Sequence, residues 1–176
     1  EYELDILNAN YAYGKPKATE VFSNVSTTPR RTETTYEHNL SQWILGLPKT
    51  VTINGRLMGT FHYNTLGQRT AIDRYNQANF RIFAYNGDGT VAWTEDALGR
   101  RVEPLDWKRG TPQRLKRPDG VSVYQYVDDN GWLTSAVDAR GFTTGYNYDV
   151  MGRLATIDPP GTTFLPTQLT YTFTGD

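Results

Sequence analysis

The 176-residue sequence has no cysteine, only two histidines and no long apolar run. Without cysteine there can be no disulfide scaffold, thiol nucleophile or thiolate metal site, although compartment stays open because exported bacterial proteins can lack the residue. His38 and His62 belong to no HExxH pattern and have no partner at ligand spacing, so no zinc signature is present. The longest apolar stretch, Trp43-Ile44-Leu45-Gly46-Leu47, is far shorter than the roughly 20 residues a membrane-spanning helix needs. Serine is sparse and forms no Gly-x-Ser-x-Gly elbow, and no glycine-rich run leads into a helix as a phosphate loop would. Leu, Ile, Val and Phe together number only 37. Charge of one sign is lacking too: 18 Lys and Arg face 19 Asp and Glu, a net of −1. That balance argues against the whole chain binding nucleic acid or another polyanion, and against charge-driven disorder. The chain begins at Glu1 with no initiator Met or signal-peptide pattern, so it is expected to be a piece of a longer gene product.

What is abundant suits strands. Thr (24), Val (10), Ile (6) and 23 aromatics outnumber Ala, Glu and Lys, which total 23. Stiff β-branched and flat aromatic side chains fit a pleated surface and lose rotamer freedom in a helix. Gly (16) and Pro (9) punctuate almost every window of helix length. The expected fold is all-β with short strands.

The glycines are regularly placed. From residue 89 they fall at Gly89, Gly99, Gly110, Gly120, Gly131, Gly141, Gly152 and Gly161, with gaps alternating between 10 and 11 and a last gap of 9. The period is therefore 21 residues, made of two halves. A strand of about 6–7 residues followed by a turn of 3–4 fills each half, and the turn calls for a residue tolerant of positive φ beside Asp or Asn. Each unit then reads as an antiparallel β-hairpin. Alternation between turns agrees: Phe142, Tyr146 and Tyr148 share one face with Thr143, Gly145 and Asn147 on the other, and Leu169, Tyr171 and Phe173 alternate with polar residues. Val121 to Tyr126 places Val on one face and Tyr on the other, so both faces of the sheet are expected to touch something.

Aligned on this ruler, a fuller unit emerges. Tyr148-Asp149-Val-Met-Gly152-Arg153-Leu154, followed by Asp158-Pro-Pro-Gly161, is its cleanest copy. Tyr63-Asn64-Thr-Leu-Gly67 with Asp73 is another, and Tyr85-Asn86-Gly-Asp-Gly89 with Asp96-Ala-Leu-Gly99 a third. Tyr126 through Gly131, with Asp138-Ala-Arg-Gly141, reads as a fourth copy carrying one extra turn residue. The pattern resembles the YD repeat of RHS (rearrangement hot spot) proteins over about residues 61–161. Tyr11-Ala-Tyr-Gly14-Lys-Pro is similar to a related turn, and Trp43-Ile-Leu-Gly46 to the lead-in of bacterial members. The resemblance implies a β-rich lead-in segment at 1–60, hairpin repeats at 61–161 and a terminal strand or tail at 162–176. It implies a curved or spiralling sheet forming part of a shell, in a secreted or surface protein of bacteria that encloses a toxin. The implied partners are the remaining repeats of the parent shell and an enclosed toxin domain. The family's autoproteolytic aspartates cannot be carried over, because their C-terminal plug is not in this sequence.

No catalytic, cofactor or metal residue emerges. Asp119, Asp129, Asp138, Asp149 and Asp158 recur at matching turn positions, whereas a catalytic carboxylate pair should be singular. A Ca²⁺ loop at Asp128-Asp-Asn-Gly or Asn86-Gly-Asp-Gly falls short of an EF-hand's ligand count. The repeat tyrosines are expected to pack between hairpins with the hydroxyl on a turn partner. Trp93, Trp107 and Trp132 are the residues that would contact a ligand if the alternative held, a carbohydrate- or cell-surface-binding module taking a glycan. Residues 100–117 carry a net of +5 and 118–176 a net of −5, read first as charges pairing across the sheet and second as a surface for an acidic partner. An open strip of sheet also has unpaired edges through which it could self-associate.

Overall fold

A computed structural model describes residues 14–172; Tyr11 to Tyr13, and Phe173 with the residues after it, lie outside. The described residues are all-β, with a single short 3-10 turn at Leu40–Gln42. Fourteen strands run β1 Ala18–Ser23, β2 Ser26–Asn39, β3 Ile44–Ile53, β4 Arg56–Tyr63, β5 Arg69–Arg74, β6 Gln77–Tyr85 and β7 Val91–Asp96. They continue as β8 Arg101–Lys108, β9 Thr111–Lys116, β10 Ser122–Val127, β11 Leu133–Val137, β12 Thr143–Tyr148, β13 Leu154–Asp158 and β14 Thr167–Gln168. Within each unit, strands that follow one another in the sequence are neighbours in space, without a crossover. The chain forms two compact units, Glu1–Ala84 with Thr94–Gly99, and Tyr85–Trp93 with Arg100–Asp176.

In the first unit, β1 to β6 form an antiparallel meander. Two of its three two-residue turns are Asn54-Gly55 between paired Ile53 and Arg56, and Tyr75-Asn76 between paired Arg74 and Gln77; the third is Asn24-Val25 between paired Ser23 and Ser26. The four residues of the first two have φ between +48° and +78°, as the tight hairpin turn matching strand twist requires. His38 accepts the Gly46 N–H at Nδ1 (2.8 Å), and the Lys15 ammonium donates to the Gly46 carbonyl (2.8 Å). Both hold the start of β3, whose first residues Ile44 to Gly46 follow Trp43.

In the second unit, β8 to β14 continue as antiparallel neighbours. Residues paired across strands share a face. Pro104, Leu115 and Val123 therefore line one side, and Leu105, Arg114 and Tyr124 the other. The two-sided strand inferred for Val121 to Tyr126 is visible here. The final strand is shorter than its alternation suggested. Only Thr167 and Gln168 pair with β13, after which the Leu169 N–H donates to Ala155 and the Tyr171 hydroxyl to Leu154.

Neither unit has a conventional core. Among the described residues the only buried hydrophobics are Ala71 and Val127, and no side chain is fully buried. A closed domain of this size would conceal many of its aliphatic residues. Here Val150, Leu165, Val25, Leu98 and Phe22 all stand at least three-quarters exposed. Hydrogen-bonded ladders and ring-to-ring contacts order a layer whose faces stay open.

Candidate functional site

The repeated element is a five-residue turn, and Asp149 shows its construction. Its backbone N–H donates to Arg153 O (2.9 Å), and its carbonyl accepts the Gly152 N–H (3.0 Å). Its Oδ1 accepts the N–H groups of Met151 and Arg153 (both 2.9 Å), while Oδ2 accepts Arg153 Nε (2.8 Å) and lies 2.7 Å from Nη2. One carboxylate thus serves the turn's free backbone donors and clamps the arginine that follows the glycine. Gly152 takes φ +76°, where a side chain is costly. These N–H donors, Arg153's backbone first, hold the Asp149 carboxyl below the usual carboxylate range.

The same backbone and Oδ1 bonds recur at Asp138 with Gly141, at Asn64 with Gly67 and at Asp128 with Gly131. Asp128 is also held low, principally by the Trp132 N–H. Asp96 repeats the bonds from Gly99 and Leu98. At Gly89 and Gly120 the closing acceptor comes instead from the residue just before the glycine. Asp88 Oδ1 receives the Thr90 N–H (2.9 Å), and Asp119 Oδ1 the Val121 N–H (3.0 Å). One turn thus has two forms, its amides capped by the side chain of the Asp or Asn three residues before the glycine, or by that of the Asp one before it.

This geometry corrects several readings. The 128–132 turn has no extra residue and is founded on Asp128; Asp129 points outward to Lys108 (3.0 Å). The place before the turn aspartate belongs there to Val127, which is 6% exposed, and not to Tyr126. Tyr126 instead stacks on Tyr124 with ring centroids 6.4 Å apart. Asp119 is a third-position turn residue, not the equivalent of Asp149. Gly110 belongs to a two-residue turn with Arg109, both at positive φ, between paired Lys108 and Thr111. Asp158 ends β13 opposite Gly145, ahead of Gly161 at φ +80°. Asp73 lies within β5, accepting His62 Nε2 (2.7 Å) and the Asn79 N–H (2.8 Å), and the histidine contact leads in lowering its pKa. Distance from the glycine, three residues or one, was the sequence signal that separates the aspartate roles.

The tyrosines act through rings and hydroxyls. Tyr63 donates to the Pro48 carbonyl (2.8 Å), and Tyr85 closes β6 just before Asn86. Tyr148 packs on Trp132 with centroids 5.2 Å apart. Trp132 also lies over Gly152, where a Cβ would meet the indole at 2.7 Å. Arg101 covers Trp93, its guanidinium carbon 3.9 Å from the ring centroid, and Trp107 pairs across the ladder with Pro112. Trp93 and Trp132 are therefore engaged by the protein's own groups. Of the opposite charge blocks, Lys108–Asp129 joins the two, while Lys116–Glu103 (3.3 Å) and Arg114–Asp106 (3.4 Å) lie within the basic block. Among the described residues no three His, Asp or Glu side chains converge as a metal site, and no helix is long and apolar enough to cross a membrane.

The strand order and turn chemistry together define an antiparallel hairpin-repeat protein. Residues 127–163 match the model of the RHS Repeat family, so the likeness drawn from Asp138, Tyr148, Asp149, Gly152 and Arg153 is shown over that stretch. Among solved structures, the chain is similar to one in the crystal structure of TcdB2-TccC3-TEV. Identity is 13% and the TM-score 0.51, covering 88% of this chain and 12% of that one. At that identity the likeness is one of fold, and this chain spans only a small part of its counterpart. No curated protein matches it.

Proposed function

We propose that the chain is a section of wall from an RHS-type β-shell. It is a non-enzymatic run of hairpins whose parent protein is secreted or displayed by a bacterium and encloses and delivers a toxic domain. The observation that carries this reading is a hydrogen-bonded turn repeated on a 21-residue spacing in a layer that buries almost none of its side chains. Such a layer is stabilised by more of its own kind on either side. The RHS Repeat match and the fold likeness support the same assignment. The recurrent aspartates receive backbone N–H groups in turns, which favours a structural role over acid–base work.

The test is limited proteolysis of the full-length parent product beside its C-terminal region expressed alone. A shell predicts that the region resists protease within the parent and is digested when free. Equal digestion in both settings, or a reading frame without further repeats, would refute enclosure.

A further inference from the structure

Within the first unit, strands β3 to β6 carry a groove of about 550 Å³ that the repeat turns do not account for. Strand register builds it. Val51, Gly59 and Arg74 form one cross-strand row, and Phe61, Ile72 and Arg81 form the next on the same face. Gly59 leaves its row unfilled and has little freedom to gain a side chain, because a Cβ there would stand 3.1 Å from the Asp73 carbonyl oxygen. The gap between Val51 and Arg74 therefore stays open, with Phe80 and Phe83 completing a lining that is mostly apolar.

Two cations border this gap. Arg74 and Arg81 are both exposed, and neither has a carboxylate partner among the described residues. Arg74 instead sits near two rings, 5.2 Å from the Tyr75 centroid and 5.3 Å from Phe80. The adjacent carboxylate, Asp73, is committed to His62 and the Asn79 N–H. The backbone under the groove is already paired in the ladder, so recognition here must come through side chains. Two guanidiniums beside an apolar gap complement a carboxylate adjacent to a large apolar group, and they repel a basic segment.

We propose that this groove docks an acidic–apolar polypeptide segment, seating a large apolar side chain over Gly59 and an adjacent Asp or Glu on Arg74 and Arg81. The proposal concerns this face alone. Its failure would leave the wall reading intact, and a parent that encloses nothing would leave the groove intact.

The experiment is fluorescence anisotropy with the whole chain and three labelled peptides. One repeats Asp-Leu-Asp-Phe, one replaces its Asp by Lys, and one replaces its Leu and Phe by Ser. Only the first is expected to bind, more weakly as salt rises. The Arg74→Gln, Arg81→Gln double variant should weaken binding about tenfold or more with its circular dichroism and melting unchanged, because both side chains are exposed. Unchanged affinity in that variant, or equal binding of the Lys peptide, overturns the charge recognition; equal binding of the Ser peptide overturns the groove. Self-association seen by light scattering and abolished by the same variant would overturn the proposal in favour of a second copy of the chain.

Discussion

Gly152→Ala tests the turn and its packing together. Gly152 sits at φ +76°, and an added Cβ would stand 2.7 Å from Cζ2 and 3.1 Å from Cη2 of Trp132. Gly141 supplies the control, since it takes φ +87° at the equivalent place in its turn and a Cβ there meets nothing within 4 Å. An L-residue in the left-handed region costs about 1–2 kcal/mol, which should be the whole effect of Gly141→Ala. At Gly152 the indole must also retreat from its seat against Tyr148, forfeiting an aromatic pair of about 0.5–1.5 kcal/mol. Gly152→Ala should therefore cost about 2–3 kcal/mol, and for a chain of this size each kcal/mol lowers the melting temperature by about 2–4 °C. Urea titrations of both variants, alone and with Trp132→Ala, measure the difference. In the Trp132→Ala background the Gly152 cost should fall to the Gly141 value. Equal costs at the two glycines in the parent, or a Gly152 cost indifferent to Trp132, would show that the indole does not lie over this turn.

Other expectations follow from the same contacts. Asp73, Asp88, Asp128 and Asp149 are all held below the ordinary carboxylate range, so their contribution is present above the unfolded value near about 4 and is lost as pH falls through the folded values. Asp128→Asn with Asp149→Asn should flatten the acid limb of the stability profile, and an unchanged limb would contradict these bonds. Asp149→Asn should keep the Met151 and Arg153 amides protected in hydrogen exchange, as Asn64 does the same work for Leu66 and Gln68, whereas Asp149→Ala should expose them. Similar exchange rates in the two variants would discount the side-chain acceptor. Val127→Ala should cost about 1–2 kcal/mol because Val127 is 6% exposed, while Val150→Ala at the bare turn tip should stay within about 0.5. Comparable losses at the two valines by thermal melting would reverse the burial assignment.

Much of the repeat was legible because turn chemistry is local. The Asp149 turn spends all its hydrogen bonds between residues 149 and 153, and the alternation of Tyr146 and Tyr148 follows from the pleat alone. Roles that depend on counting within a turn were blurred. Asp128 and Asp129 are adjacent carboxylates of equal chemistry, and only the bonds from Asn130 and Trp132 assign the turn to the first. Asp119 looked equivalent to Asp149 because both precede a glycine, yet Asp149 is the first residue of its turn and Asp119 the third.

By itself, then, the sequence determined an all-β chain of short strands, the 21-residue hairpin period and the placing of positive-φ glycines, since each of these is settled within about ten residues of backbone. Tertiary structure alone decided that Trp132 covers Gly152, that Val127 is buried while Val150 is bare, and that Gly59 opens a gap beside two exposed arginines. Those outcomes depend on which residues the strand register sets side by side, and register is a relation between distant stretches that no single stretch encodes.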